Sequence, residues 1–195
     1  MATLRFVRDA KDSRLLLLGI VEKGESANYT VNLSAYSEIG APSVGEELDD
    51  DQMSVIRHID ELLRAKKKAL NILAYADNNK KNLVMKLRRA GFGREIADEV
   101  CREMVELGYI NESDQLRRLI IDEANRKLRG PMRILPALAT KGYSTAQIKE
   151  TMSDLVRMGE IDFHKNAAVL LSKKLHDGAN EEEKKTILYK NGYKI

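Results

Sequence analysis

Shifted by 51 residues, the chain matches itself. Leu87 falls on Leu138, Gly91 on Gly142, Phe92 on Tyr143, Met104 on Leu155 and Val105 on Val156. Leu107 falls on Met158, Gly108 on Gly159 and Ile110 on Ile161. A third, partial copy lies 50 residues further on, where Leu188, Gly192 and Tyr193 echo Leu138, Gly142 and Tyr143. A period of this size is the mark of a repeat architecture. Each copy reads as a helix, a Gly–aromatic pair, a second helix and another Gly. The glycines suit left-handed helix caps. Ser144 and Gln147 have the spacing of a capping box that starts a helix, and Gly130-Pro131 ends one helix and opens another. The reading is three helices per repeat: repeat one over 66–110, repeat two over 111–161 and an incomplete repeat three over 162–195. Amphipathic helices of this kind bury their apolar faces only by stacking, which predicts an elongated array. Pro136 should kink the middle helix of repeat two or delay its start.

Ahead of the repeats the periodicity differs. Leu4, Phe6 and Val7 cluster, Leu15 to Ile20 is apolar, and Tyr29, Val31 and Leu33 alternate with Thr30, Asn32 and Ser34. These are strand patterns. They predict a small antiparallel β region within residues 1–50 that needs a helix to cover it. Glu46 to Asp51 suits a helix N-terminus. From about Gln52, Met53, Ile56, Ile59, Leu62 and Leu63 recur at helical spacing, predicting a connecting helix over 51–65. Asp77-Asn78-Asn79 breaks the apolar series that follows. The expected fold is mostly α: tandem three-helix repeats preceded by a small antiparallel sheet.

The catalytic signals are few. His58, His164 and His176 are far apart, with no Cys or second His at metal spacing. The glycines sit singly at helix ends and form no phosphate-cradling loop. No Ser stands in a nucleophile elbow. The acidic runs Asp49–Asp51 and Glu181–Glu183 fall where helix N-termini favour them. No cofactor, metal or enzymatic role is expected. Cys101 is the single cysteine, and its neighbours Val100 and Met104 place it on an apolar face as a structural thiol. The N-terminus has no apolar secretory run, and Leu15–Leu18 is too short to span a membrane. A cytoplasmic, monomeric protein is expected.

Charge is where the sequence points to a partner. Residues 1–60 hold 6 Lys+Arg against 11 Asp+Glu, leaving 27 basic and 19 acidic residues for the remainder. The excess is concentrated in clusters: Lys66, Lys67 and Lys68; Lys86, Arg88 and Arg89; Arg117 and Arg118; Arg126, Lys127, Arg129 and Arg133; and Lys173 and Lys174. Such clusters suit phosphates or carboxylates. Arg126, Arg129 and Arg133 would share one helical face if the helix ran through Gly130-Pro131. Aromatic residues make up 5% of the chain, a lean supply for a protein whose main task is stacking bases or sugars.

The segment Lys86-Leu87-Arg88-Arg89-Ala90-Gly91-Phe92, followed by Val105 and Leu107-Gly108-Tyr109-Ile110, resembles the RecX family of recombination regulators. So does Arg129-Gly130-Pro131 with Ile134, Leu138 and Lys141-Gly142-Tyr143. The resemblance spans roughly residues 60–195. It implies tandem three-helix repeats and binding in the groove of the RecA filament on single-stranded DNA, with inhibition of the recombinase. Direct DNA binding and a plain adaptor role are the alternatives. Family members usually carry an acidic pair where this chain has Asn111-Glu112 and Asp162-Phe163. The third repeat stops after its second helix, as in a naturally short or a truncated chain, which would leave Leu188 and Tyr193 partly uncovered.

Overall fold

The computed structural model describes residues 2–176 and 180–194. The chain divides into two compact bodies, Met1–Ala76 with Leu83–Leu107, and Asp77–Asn82 with Gly108–Ile195.

In the first body, β1 (Ala2–Asp9), β2 (Leu15–Glu22) and β3 (Glu25–Asn32) form an antiparallel meander, and a two-residue β4 (Glu47–Leu48) pairs with Ala2 and Thr3. The strand order is β3-β2-β1-β4. The alternating residues of β3 do not carry the strand through Leu33. Asn32 accepts the Ala35 N–H (2.7 Å) and opens a short helix, α1 (Leu33–Glu38), on which Leu33 is exposed. One face of the sheet buries Leu4, Leu18, Ile20 and Val31 against Met53 and Ile56. These last two lie on α2 (Asp50–Tyr75), which starts at an Asp49–Gln52 capping box. The expected connecting helix and the first helix of repeat one are therefore one continuous 26-residue helix, with no break near residue 65. Its second half packs on α4 (Arg94–Glu106), and α3 (Lys80–Arg89) lies between them in the chain. Cys101 is buried on α4.

The second body contains α5 (Glu112–Ile121), which runs into a π-helical turn over Asp122–Arg126, then α6 (Pro131–Ala139) and α7 (Thr145–Arg157). Leu116, Ile120, Ile134, Leu138, Ile148 and Leu155 from these helices form one core. The last two helices are α8 (Phe163–Lys174) and α9 (Glu181–Lys190). The helix punctuation is as expected. Gly91, Gly108, Gly142, Gly159 and Gly192 all have positive φ, Ser144–Gln147 is a capping box, and Pro131 is the first residue of α6. Pro136 sits inside α6 without stopping it. At Asn111-Glu112 and Asp162-Phe163 the first residue caps a helix: Asn111 accepts the Asp114 N–H, and Asp162 accepts those of His164 and Lys165.

One expectation holds for Leu188 and fails for Tyr193. Tyr193 is only 6% exposed, not uncovered, while Leu188 is half-buried. The Tyr193 hydroxyl donates to the Leu128 carbonyl (3.1 Å), and its ring meets Phe163 edge-on. Gly130 N–H donates to Asn191 O (2.8 Å) and Met132 N–H to Gly192 O (3.0 Å), so the end of α9 is fastened to the start of α6. The cover of the Tyr193 ring comes from Leu128, Leu170 and Phe163, with which it forms a small core.

Candidate functional site

The basic residues separate into two sets. One set is spent on internal carboxylates. Lys66 on α2 reaches Glu103 on α4 (2.7 Å), and Arg117 on α5 reaches Glu160 beyond α7 (2.6 Å). Lys66 and Arg117 are 51 residues apart, so the same position of a first helix holds a carboxylate both times, on the third helix in repeat one and just past it in repeat two. Arg118 pairs with Asp77 (3.0 Å), both well exposed.

In the group from Arg126 to Arg133 the helix does not run through Gly130-Pro131, so the condition for a common face is not met. The helix ends at the π-helical turn, and Leu128 takes a left-handed φ of 52° before α6 begins. Arg126 pairs with Asp122. Lys127 contacts Asp122 (3.1 Å) and Glu123 (2.6 Å), and Arg129 also reaches Glu123 (2.5 Å). Glu123 is 3% exposed, a charge that burial alone would disfavour. Burial pushes its carboxyl up, but hydrogen bonds from Lys127 and then Arg129 outweigh that and hold it below its ordinary value. Bonds from Arg126 and then Lys127 hold Asp122 at about 2. Only Arg133 of the three arginines is exposed without an ion pair among the described residues.

The second set faces solvent. Lys67 and Lys68 on α2, Arg88 and Arg89 in the last turn of α3, Arg133 on α6, and Lys173 and Lys174 in the last turn of α8 are exposed and hold no carboxylate among the described residues. Lys86 is also exposed on α3. At α3 and α8 these cations sit at helix C-termini, where the macrodipole favours them. Seven cations without a carboxylate partner among the described residues can take phosphates or carboxylates through charge-assisted hydrogen bonds.

Sequence reasoning missed the buried polar residues. Gln115 and Asn166 are 51 residues apart and both buried. Gln115 donates to Asn78 O (3.4 Å), and Asn166 to Ala124 O (3.0 Å) and Asn125 Oδ1 (2.9 Å). Their common repeat position was the available signal. Asn79 donates to Lys141 O (2.8 Å), joined there by Asn82 (3.2 Å). Among the described residues, no group of three or more His, Cys, Asp and Glu could hold a metal ion. Nor is any helix long and apolar enough to cross a membrane.

A small antiparallel sheet followed by capped helix triplets defines the class: a helical-repeat protein with an N-terminal sheet. The chain belongs to the RecX family. The protein called regulatory protein RecX in Clostridioides difficile strain 630 is 30% identical over 162 residues, which cover 83% of this chain and 70% of that protein. Its namesake in Bacillus cytotoxicus is 25% identical over 152 residues, 78% of this chain and 55% of the relative. The chain thus spans between about half and 70% of the length of these relatives. A crystal structure of regulatory protein RecX shares the fold, with a TM-score of 0.72 at 19% identity over 100% of this chain and 95% of the other. No protein-family model matches the chain.

Proposed function

We propose that this chain binds the filament formed by RecA on single-stranded DNA and restrains its recombinase and ATPase activity. Membership in a family of regulatory proteins carries the reading, and the resemblance of the repeat motifs supplies the filament as partner. The protein works by occupying a surface, without catalysing a reaction, as a monomer in the cytoplasm. The solvent-facing set supports this mechanism, because Lys67, Lys68, Arg88, Arg89, Arg133, Lys173 and Lys174 are available to acidic subunit surfaces or to the DNA backbone. Lys86 belongs with them on α3. Lys66, Arg117, Arg118, Arg126, Lys127 and Arg129 hold internal carboxylates and contribute through the fold.

The test is the rate of DNA-dependent ATP hydrolysis by RecA with the protein at substoichiometric and stoichiometric amounts. Inhibition, without hydrolysis by the protein alone, is expected. Charge reversal at Arg88, Arg89 and Arg133 should relieve it while leaving the fold intact. No inhibition by a folded preparation would overturn the reading.

A further inference from the structure

The long helix α2 changes partner along its length. Its first half buries Met53, Ile56 and Asp60 on the side of the sheet, where Asp60 accepts the Thr30 N–H (2.9 Å). Its second half buries Leu62, Ala65 and Ala69 and packs on α4. With 3.6 residues per turn, the direction of Met53 and Asp60 continues down the helix through Arg64, Lys67, Lys68, Asn71 and Tyr75. All five are exposed, and Tyr75 is 94% exposed. Arg64 is tethered to Asp60 (2.8 Å) with its side chain 64% in solvent. Lys67 and Lys68 hold no carboxylate among the described residues. The side of α2 that serves as core beside the sheet thus becomes, two turns later, a cationic stripe ending in a bare aromatic ring.

We propose that this stripe binds a single strand of nucleic acid, with Arg64, Lys67 and Lys68 on phosphates and the Tyr75 ring stacked on a base. The chemistry selects that partner. Cations alone would serve an acidic peptide equally well, but an exposed ring at the end of the row gains nothing from carboxylates. A duplex keeps its bases stacked on one another and leaves the ring no open face. A single strand uses both features, because every base has a π-face and every linkage a charge. Lys68 and Tyr75 are seven residues apart, about 10 Å along the axis, within reach of one short run of nucleotides. A lone ring stacks on any base, so the stripe has no sequence preference. This goes beyond the filament reading, because it needs no recombinase.

The experiment is fluorescence anisotropy of a fluorescein-labelled oligothymidylate of about 15 nucleotides, titrated with the full chain at about 50 mM salt and without RecA. Saturable binding is expected. Tyr75→Ala should weaken it roughly tenfold, and Tyr75→Phe should restore it, because the ring and not the hydroxyl stacks. Replacing Lys67 and Lys68 by Gln should reduce the slope of log affinity against log salt by about 1.4. These positions are exposed, and circular dichroism checks that the variants fold. Three results would each overturn the proposal: no binding by the unaltered chain, unchanged affinity of Tyr75→Ala, or displacement by polyglutamate as effective as by unlabelled oligothymidylate. The last would assign the stripe to an acidic protein surface. Because the assay holds no recombinase, its outcome is independent of the ATPase test.

Discussion

Tyr143 and Tyr193 hold the same place in successive repeats, and both are buried with a bonded hydroxyl. The surroundings that receive them are built differently. The Gly142–Tyr143 joint rests on side-chain amides: Asn79 and Asn82 donate to the carbonyl before Gly142, and Gln115 accepts from the tyrosine. The Gly192–Tyr193 joint rests on backbone, with Gly130 and Met132 donating to Asn191 and Gly192, and Leu128 accepting from the tyrosine. Beside the first joint lies an exposed ion pair, Arg118–Asp77; beside the second lies the buried carboxylate of Glu123 under Arg129. One geometry is thus made by two chemistries. An amide joint tolerates side-chain adjustment, whereas a backbone joint requires the main chains to come close.

That difference ranks the expected effects of substitution. Gly130→Ala should be the most damaging, because a Cβ there would lie 2.3 Å from Gly192 O and 2.6 Å from Tyr193 N, and neither backbone atom can swing away. A loss of about 3 kcal/mol is expected in urea unfolding; a loss below about 1 kcal/mol would show that the joint is looser than its hydrogen bonds imply. Asn79→Ala strikes the amide joint and also removes the acceptor of the Asn82 N–H (2.9 Å). About 2 kcal/mol should be lost, and Asn79→Asp, which keeps the acceptor, should recover part of it.

Smaller effects sharpen the contrast. Tyr193→Phe should lower stability by about 1 kcal/mol and exceed Tyr143→Phe, whose bond to Gln115 is longer at 3.3 Å against 3.1 Å. The reverse order would mean that the amide joint is the tighter one. The ion pairs should differ in pH dependence. Asp122 and Glu123 have carboxyls held below their ordinary values by Arg126, Lys127 and Arg129. A depressed folded-state value contributes stability that is complete above the unfolded value, near pH 4, and is lost as pH falls through the folded value, about 2 for Asp122. Replacing both by their amides should lower the thermal midpoint at pH 7, with the gap to the parent closing below pH 4. Arg118→Ala, at the exposed pair, should change stability by no more than about 0.5 kcal/mol at any pH.

Much of the helical scheme is legible because glycine caps and capping boxes are local. Gly91, Gly142 and Gly192 end helices wherever the next residue packs, and Ser144–Gln147 starts one without outside help. The basic candidates were legible only as a composition. Lys66 and Lys67 are adjacent in sequence, yet one is half-buried on Glu103 and the other is in water, because neighbouring helix positions point about 100° apart. Arg129 looked like a surface cation and instead neutralises Glu123, 6 residues before it, because the chain turns back through a π-helical turn and a left-handed Leu128. Tyr75 gave no signal at all, since an aromatic residue at a helix end reads the same buried or bare.

What the sequence by itself determined is the punctuation: where helices start and stop, that the pattern recurs, and that the first strands differ in period. Those properties depend on backbone conformation and on neighbours within about four residues. What only the tertiary structure decided is which charges are internal and which face outward, where α2 exchanges the sheet for α4, and how the last Gly–Tyr pair is covered. The physical reason is range. A cap is closed by an N–H three residues away, whereas the fate of a charge or a ring depends on groups as far as 65 residues off, as between Leu128 and Tyr193.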